Sequence, residues 1–135
     1  NCRKINTMKF HHIGIACDDI ESAINFVKNT FHISKVSEII FDENQNVNLC
    51  LLQTKCNIHI ELVSGVTVTR FIKKRQYLYH TCWEVNNIEE SITNFINNGA
   101  VLISESKKAI LFNYRRVAFL MTSIGVIELL ESKDR

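Results

Sequence analysis

The chain has 135 residues, a formal net charge of +2, 46% hydrophobic residues and 22% charged residues. This length predicts one structural domain, or two small modules that share a core. The net charge is too small to indicate nucleic-acid binding, and the basic residues are scattered apart from short clusters. No apolar run approaches the roughly 18 residues of a membrane span, and the first residues contain no apolar signal segment. A cytoplasmic location without a membrane partner is therefore expected, with residues 1–7 as a flexible N-terminal extension.

The five cysteines are odd in number and lack the CxxC spacing of redox or zinc sites. Several of them lie in strand-like runs, where a reduced thiol packs as a small apolar side chain. They are therefore expected to be packing residues and not nucleophiles: Cys2, Cys17, Cys50, Cys56 and Cys82.

Residues 8–65 have the pattern of a first strand, helix and three-strand module. Alternation in Phe10–Cys17 places His12, Gly14 and Ala16 on one face of a strand. Asp18 and Glu21 match a capping box at the start of a helix. The expected later strands and the polar turn between them are Ile33–Phe41, Asp42–Asn46, Val47–Leu52 and Ile58–Val63.

Residues 78–135 repeat this order after a connector at residues 66–77, in which Thr69–Arg75 is expected to form a short helix. The repeat begins with a strand at Tyr79–Val85, and Asn86–Glu89 mirrors the helix start of the first module. Gly99 is expected to end the second helix in a left-handed conformation. The expected later strands are Val101–Ser104, Val117–Met121 and Val126–Leu130.

Each module carries a histidine in its first strand and a glutamate in its last strand. Glu61 follows His12 by 49 residues, and Glu128 follows His80 by 48 residues. A carboxylate among Ile, Leu and Val side chains needs a charged or metal partner when it is buried. Two imidazoles and two carboxylates form a nitrogen and oxygen donor set that suits Co, Mn, Ni, Fe or Zn. The repeat therefore predicts one divalent metal ion bound by these four residues.

These motifs resemble the four signature strands of the vicinal oxygen chelate superfamily, which includes glyoxalases, bleomycin resistance proteins and dioxygenases. The similar segments are His12–Ala16, Ile60–Val63, His80–Val85 and Val126–Leu129. The resemblance implies an α+β fold in which two βαβββ modules pack into a curved, eight-stranded open-barrel sheet with a metal-binding cleft. It also implies a homodimer, and leaves open whether the cleft forms within one chain or across a dimer.

Several more residues near the expected cleft are candidates for catalysis and substrate binding. Glu43 is a candidate general base, or a solvated turn residue, and Glu128 is a candidate for catalysis as well as metal binding. Arg115 and Arg116 could bind an anionic substrate through bidentate contacts, or form surface ion pairs. Tyr79 is a further candidate for substrate binding, and Glu84 could bind substrate or form a salt bridge to Arg or Lys. A CoA phosphate could be bound by Lys73, Lys74 and Arg75, which otherwise form a solvated charged face. His11 and His59 are expected to be structural or supporting histidines.

The motifs are similar to those of methylmalonyl-CoA epimerases and of short glyoxalase-like proteins, and this resemblance implies proton abstraction next to a metal-chelated carbonyl. The substrate is then a small molecule, either a CoA thioester or another thiol conjugate. A lactoylglutathione lyase (glyoxalase I) reaction needs the same metal ligands. The superfamily also contains metal-free drug-binding resistance proteins, which the four intact ligands disfavour. It contains extradiol dioxygenases as well, which the extra carboxylate disfavours because it would block an open metal position.

Overall fold

The fold is described for residues 7–133 in a computed structural model, which has an α+β composition. The predicted extension at residues 1–7 lies outside the described residues except for Thr7, and so does Cys2. The described chain contains three α-helices, α1 (Ile20–Thr30), α2 (Thr69–Lys73) and α3 (Ile88–Asn97). Its nine strands are β1 (Lys9–Ala16), β2 (Ile33–Val36), β3 (Ile40–Asp42), β4 (Val47–Thr54), β5 (His59–Ser64), β6 (Leu78–Val85), β7 (Val101–Ala109), β8 (Arg115–Thr122) and β9 (Gly125–Glu131).

Two compact units make up the described chain. The first unit contains residues 12–80, including the predicted connector, and the second unit contains the residues up to His11 and from Thr81 onward. Each unit has the strand, helix and strands order that the internal repeat predicts, and the α+β class is confirmed.

The first unit forms a sheet with the strand order β2, β4, β5, β1, and β3 also pairs with β4. Strands β1 and β5 are parallel, whereas β4 runs antiparallel to β5. Helix α1 covers one face of this sheet with an apolar cluster. The buried members of the cluster are Ile20, Val27, Cys50, Leu52, Ile60 and Leu62.

The second unit repeats this arrangement with the strand order β6, β9, β8, β7. Strands β6 and β9 are parallel, whereas β8 runs antiparallel to both β9 and β7. Helix α3 packs against β7, β8 and β9. The buried cluster on this face consists of Val85, Ile88, Ala100, Ala118, Leu120, Ile127 and Leu129.

The helix starts differ by one residue from the predicted capping boxes. Asp19, and not Asp18, caps α1, and its carboxylate accepts hydrogen bonds from the Glu21 amide at 3.2 Å and the Ser22 hydroxyl at 2.8 Å. In the same way Asn87, and not Asn86, caps α3 and accepts from the Glu90 amide at 3.0 Å. The second of two adjacent polar residues caps in each case, because the following isoleucine begins the buried helical stripe.

The predicted strand Ile33–Phe41 is two short strands, β2 and β3. Residues between them leave the ladder, and the Ser37 hydroxyl accepts a hydrogen bond from the Leu51 amide at 2.8 Å. The Ser37 amide still donates to the Leu51 carbonyl oxygen at 2.8 Å. The side-chain hydroxyl replaces a backbone carbonyl as the acceptor for the Leu51 amide, and the ladder is interrupted at that point. Gly99 ends α3 with a φ of 98°, as predicted. Within residues 7–133, no helix has the length and hydropathy needed to cross a bilayer.

Truncation of a core side chain should measure how much the apolar cluster under α3 contributes to the stability of the second unit. Leu120→Ala removes a fully buried side chain from the α3 cluster, and should lower the free energy of unfolding by about 2–5 kcal/mol. Ile124→Ala is the control, because Ile124 is 83% exposed and its loss should change stability by about 0.5 kcal/mol or less. Urea unfolding followed by circular dichroism would measure both, and equal effects of the two substitutions would contradict this description of the core.

Candidate metal centre

Three polar side chains of the first unit converge in its buried interior. His12 lies in β1, Glu61 in β5 and His80 in β6, and their exposed fractions are 0%, 3% and 3%. The two imidazole Nε2 atoms are 3.1 Å apart. Glu61 Oε1 lies 3.5 Å from Nε2 of His12 and 3.4 Å from Nε2 of His80. The structure therefore brings together three of the four residues that the sequence suggests as metal ligands.

Strand register explains why Glu61 joins the histidines and not the apolar core. Its neighbours Ile60 and Leu62 belong to the cluster under α1. Because side chains alternate along a strand, Glu61 lies on the opposite face of the sheet. Gly14 of β1 is the register partner of Glu61, and His12 lies two residues before Gly14 on the same face. The parallel pairing of β1 with β5 thus sets His12 beside Glu61.

Gly14 provides the space for the His80 ring. A Cβ atom at position 14 would lie 2.2 Å from Cε1 of His80 and 2.5 Å from both ring nitrogens. No side chain can approach an imidazole so closely without moving it. The glycine is therefore required by steric contact with His80, a role that its place in the first motif did not reveal.

The donor set fits one divalent ion. Metal to nitrogen or oxygen bonds of about 2.0–2.2 Å place neighbouring ligand atoms of one ion about 2.8–3.6 Å apart, for angles between octahedral and tetrahedral. The three separations of 3.1, 3.4 and 3.5 Å fall within this range. Two imidazoles and a carboxylate are ligands that Mn, Fe, Co, Ni and Zn all accept. The ligand atoms of His12, Glu61 and His80 could therefore hold such an ion.

His59 lies two residues before Glu61 on the same face of β5. Burial lowers the pKa of His59 below its usual value, and the positive charges of His12 and Lys35 act in the same direction. The imidazole is therefore neutral near pH 7, because its charged form is disfavoured. His59 is thus a neutral side chain on the same sheet face as Glu61.

The fourth ligand candidate, Glu128, belongs to the second unit. It is 1% exposed and lies in β9, where its register partners are Cys82 in β6 and Phe119 in β8. Ile127 and Leu129 on either side of it belong to the α3 cluster, so Glu128 lies on the sheet face away from the helix. Within its own unit, Glu128 thus has the position that Glu61 has in the first.

Arg115 forms an ion pair at the start of β8. Its Nη1 atom donates to Oε2 of Glu84 at 2.6 Å and to the Glu131 carbonyl oxygen at 3.1 Å, and Nε donates to the Phe112 carbonyl oxygen at 3.3 Å. Arg115 and Glu84 are both largely buried, with side chains 13% and 18% exposed. The structure thus pairs these two residues with each other, and this contact occupies the groups that a substrate would need.

Arg116 is held by two carboxylates, those of Glu89 and Glu131. Its Nε and Nη2 atoms donate to Oε2 of Glu131 at 3.1 and 2.9 Å, and the guanidinium also donates to both carboxylate oxygens of Glu89. These bonds raise the pKa of Arg116 above its usual range. An anionic substrate would have to replace two carboxylates before it could bind this side chain.

The acidic residues of the turn between β3 and β4 have different environments. Glu43 is exposed, whereas Asp42 is 2% exposed. The Asp42 carboxylate accepts from the Asn44 amide at 2.9 Å, the Gln45 amide at 3.4 Å and the Gln45 side-chain amide at 2.9 Å. Asp42 therefore fixes the turn, and Glu43 projects from it.

Aromatic side chains pack edge-on against His80 and His11. The half-buried Tyr79 packs edge-on against His80 with ring centroids 4.7 Å apart, and against Phe71 of α2 at 4.9 Å. In the second unit His11 packs edge-on against Phe112 at 5.1 Å. Tyr79 is therefore placed to orient the His80 ring. Their adjacency in the sequence does not by itself establish that the two rings are in contact.

The described cysteines are reduced and lie at Cys17, Cys50, Cys56 and Cys82. Burial raises the pKa of the Cys17 thiol to about 11, with a smaller contribution from the negative charge of Asp19. Burial also raises the pKa of Cys50. A thiol with a raised pKa is a poor nucleophile at neutral pH, which agrees with a packing role for these two residues.

A sequence-family model agrees with the fold. The model described as the glyoxalase/bleomycin resistance protein/dioxygenase superfamily matches residues 11–119. None of the curated proteins matches the chain.

Solved structures with the same fold include two epimerases. Methylmalonyl-CoA epimerase from Mycobacterium tuberculosis is 19% identical with a TM-score of 0.78, and the match covers 91% of this chain and 87% of that one. A variant from Streptomyces coelicolor in complex with 2-nitronate-propionyl-CoA is 18% identical with a TM-score of 0.75, covering 93% and 97%. A hypothetical protein from Bacillus halodurans C-125 is 26% identical with a TM-score of 0.77, covering 96% and 97%.

Substitution of Gly14 should test whether the position of His80 controls metal binding. Gly14→Ala should displace the His80 ring, and we expect the affinity for Co²⁺ to fall about 10- to 100-fold, as is typical of changes beside metal ligands. Calorimetric titration of the metal-free protein would measure this. Gly125→Ala is the control, because its Cβ would meet no atom within 4 Å while its φ of 101° still imposes backbone strain. Unchanged metal affinity in Gly14→Ala would show that His80 is not a ligand.

Proposed function

Because the chain belongs to the glyoxalase/bleomycin resistance protein/dioxygenase superfamily, we propose that it is a divalent-metal-dependent isomerase or lyase. The leading candidate is an epimerase of the methylmalonyl-CoA type, which removes a proton next to a carbonyl and delivers a proton to the opposite face of the same carbon. The observation that supports this function is the convergence of His12, Glu61 and His80 on one buried point. A buried carboxylate between two imidazoles is costly unless a cation compensates it.

We assign Glu128 as the fourth ligand by the equivalence of the two units. Each buried glutamate lies between two residues of a helix-facing cluster and on the opposite face of its sheet. Two carboxylates would balance the charge of one divalent ion, and four protein ligands on an octahedral ion leave two positions for substrate oxygens. When bound, the ion would polarise the substrate carbonyl and stabilise the negative charge that develops as the proton leaves.

The protein must also provide a group that accepts the proton. Glu43 and Glu128 are the two candidates. Glu43 is exposed in a turn that Asp42 fixes by hydrogen bonds, so its carboxylate is accessible to a substrate. Glu128 is buried, so its use as a base would require it to leave the metal. We therefore assign Glu43 as the base and Glu128 primarily as a ligand.

The family assignment supports this chemistry without identifying the substrate, since one fold supports many reactions. The epimerases named above are less than 25% identical to this chain and establish the fold only. Lactoylglutathione lyase activity would use the same ligands, and a metal-free binding protein would use none of them. A homodimer and a cytoplasmic location stay predictions.

Deuterium incorporation tests the proposed reaction. Protein loaded with Co²⁺ and incubated with methylmalonyl-CoA in D₂O should transfer deuterium to the α-carbon, measured by mass spectrometry. Glu61→Gln should lower the rate at least about 100-fold, because it removes a charged ligand. Glu38→Gln is a matched control at an exposed position of the same unit. No exchange by the wild type would refute the epimerase, and turnover of methylglyoxal with glutathione would then favour the lyase.

Substitution of Glu43 separates its role from metal binding. Glu43→Gln should lower the deuterium exchange rate roughly 10²- to 10⁴-fold, as expected for loss of a general base. The bound metal, measured by elemental analysis, should remain unchanged because Glu43 is not a proposed ligand. Full activity of Glu43→Gln would exclude this residue as the base and would favour Glu128.

A further inference from the structure

In the proposed function, on which this inference rests, the substrate is a CoA thioester. Such a substrate carries phosphates, which basic residues of the protein would bind. Phosphate groups require positive charge from the protein. The two arginines that the sequence suggests for this purpose, Arg115 and Arg116, are already paired with glutamates. A different group of basic residues is therefore needed for an anionic substrate.

The connector between the modules provides such a group. It contains Arg70, Lys73, Lys74 and Arg75, and no Asp or Glu occurs anywhere in residues 62–83. All four side chains are exposed, in α2 or directly after it. None of them forms an ion pair with another residue in the described part of the chain. Their charge is therefore uncompensated, in contrast to that of Arg115 and Arg116.

A continuous series of contacts joins this segment to the candidate metal centre within the first unit. The Arg70 guanidinium lies over the Phe71 ring, 5.4 Å from its centroid. Phe71 contacts Tyr79 at 4.9 Å, and Tyr79 contacts His80 at 4.7 Å. The sum of these three distances is therefore an upper limit on the distance from the Arg70 guanidinium to the centre of the His80 ring.

An extended CoA thioester is long enough to cover this separation. An extended chain advances about 1.2 Å per bond, so the roughly thirteen bonds from the thioester sulfur to the first phosphorus span ~16 Å. We propose that residues 70–75, hereafter the basic segment, bind the phosphates of a CoA thioester whose acyl end lies at His12, Glu61 and His80. The aromatic pair Phe71 and Tyr79 then lies beside the path of the pantetheine arm.

A purely structural role for the basic segment would have a different consequence. Lysines in the last turn of a helix stabilise its carboxyl end through the helix dipole. Their removal would then lower the melting temperature and leave ligand affinity unchanged. Binding and stability must therefore be measured on the same variants.

Binding of propionyl-CoA and propionyl-pantetheine to the Co²⁺-loaded protein, measured by calorimetry, tests the proposal. Both ligands lack a free thiol that could coordinate the metal, and they differ in the phosphorylated nucleotide. We expect the wild type to bind propionyl-CoA at least about tenfold more tightly, and the preference to decrease with added salt. The variant K73Q/K74Q/R75Q should bind propionyl-CoA about 10- to 100-fold more weakly, with unchanged affinity for propionyl-pantetheine.

A charge-matched control separates a local site from a general effect of net charge. The variant K28Q/K35Q/K55Q removes three exposed lysines from the same unit and should change the affinity for propionyl-CoA by less than about twofold. If the first triple variant fails to fold, the single substitution K74Q should still weaken binding about two- to threefold. Equal loss in the two triple variants would overturn the proposal, as would equal wild-type affinity for the two ligands.

Failure of the proposed phosphate site and failure of the proposed reaction would give different experimental results. A selective loss of propionyl-CoA binding without any deuterium exchange on methylmalonyl-CoA would support the phosphate site and refute the epimerase. Deuterium exchange together with unchanged affinity of K73Q/K74Q/R75Q for propionyl-CoA would refute the phosphate site alone. Exchange together with an increased KM and unchanged kcat in K73Q/K74Q/R75Q would support both.

Discussion

The burial of Glu61 between two imidazoles is the constraint on which the first unit depends. A carboxylate that is 3% exposed has lost its hydration and needs compensation from nearby positive charge. His12 and His80 lie within 3.5 Å of it, and neutral imidazoles alone would compensate it poorly. The same donor separations suit one divalent ion. The cost of this buried acid is therefore best explained by a function in binding a cation.

In each sheet, one face packs against a helix and stabilises the unit, whereas the other face carries the buried glutamate. Helices α1 and α3 cover the faces that bear isoleucine, leucine and valine, and strand alternation places both buried glutamates on the opposite face. On the glutamate-bearing face of the first unit, Gly14 leaves room for His80, and any side chain there would displace it. Mutations on the helix-covered face therefore affect folding first, whereas changes beside the histidines affect the donor set.

Charge pairing separates structural arginines from those able to bind a ligand. Arg115 and Arg116 link β8 to carboxylates of β6, β9 and α3, so they stabilise the second unit. Among residues 7–133, the basic segment has no carboxylate partner, and its Phe71 ring contacts Tyr79, which contacts His80. Membership of the superfamily supports metal-assisted chemistry of several kinds. The distribution of uncompensated charge is what favours a phosphorylated thioester as the substrate.

The sequence alone determined the repeat, the α+β class and the histidines and glutamates at equivalent strand positions, because alternation and spacing are local properties of the chain. It did not determine which residue caps each helix, where the strand after α1 divides, or that Asp42 fixes the turn beside Glu43. Only the tertiary structure decided that Arg115 and Arg116 are paired with glutamates and that the aromatic rings join α2 to His80. The arginine–glutamate contacts connect residues 15–31 positions apart, and the Phe71–Tyr79 contact joins a helix to the following strand. No local pattern encodes which of several partners a side chain meets.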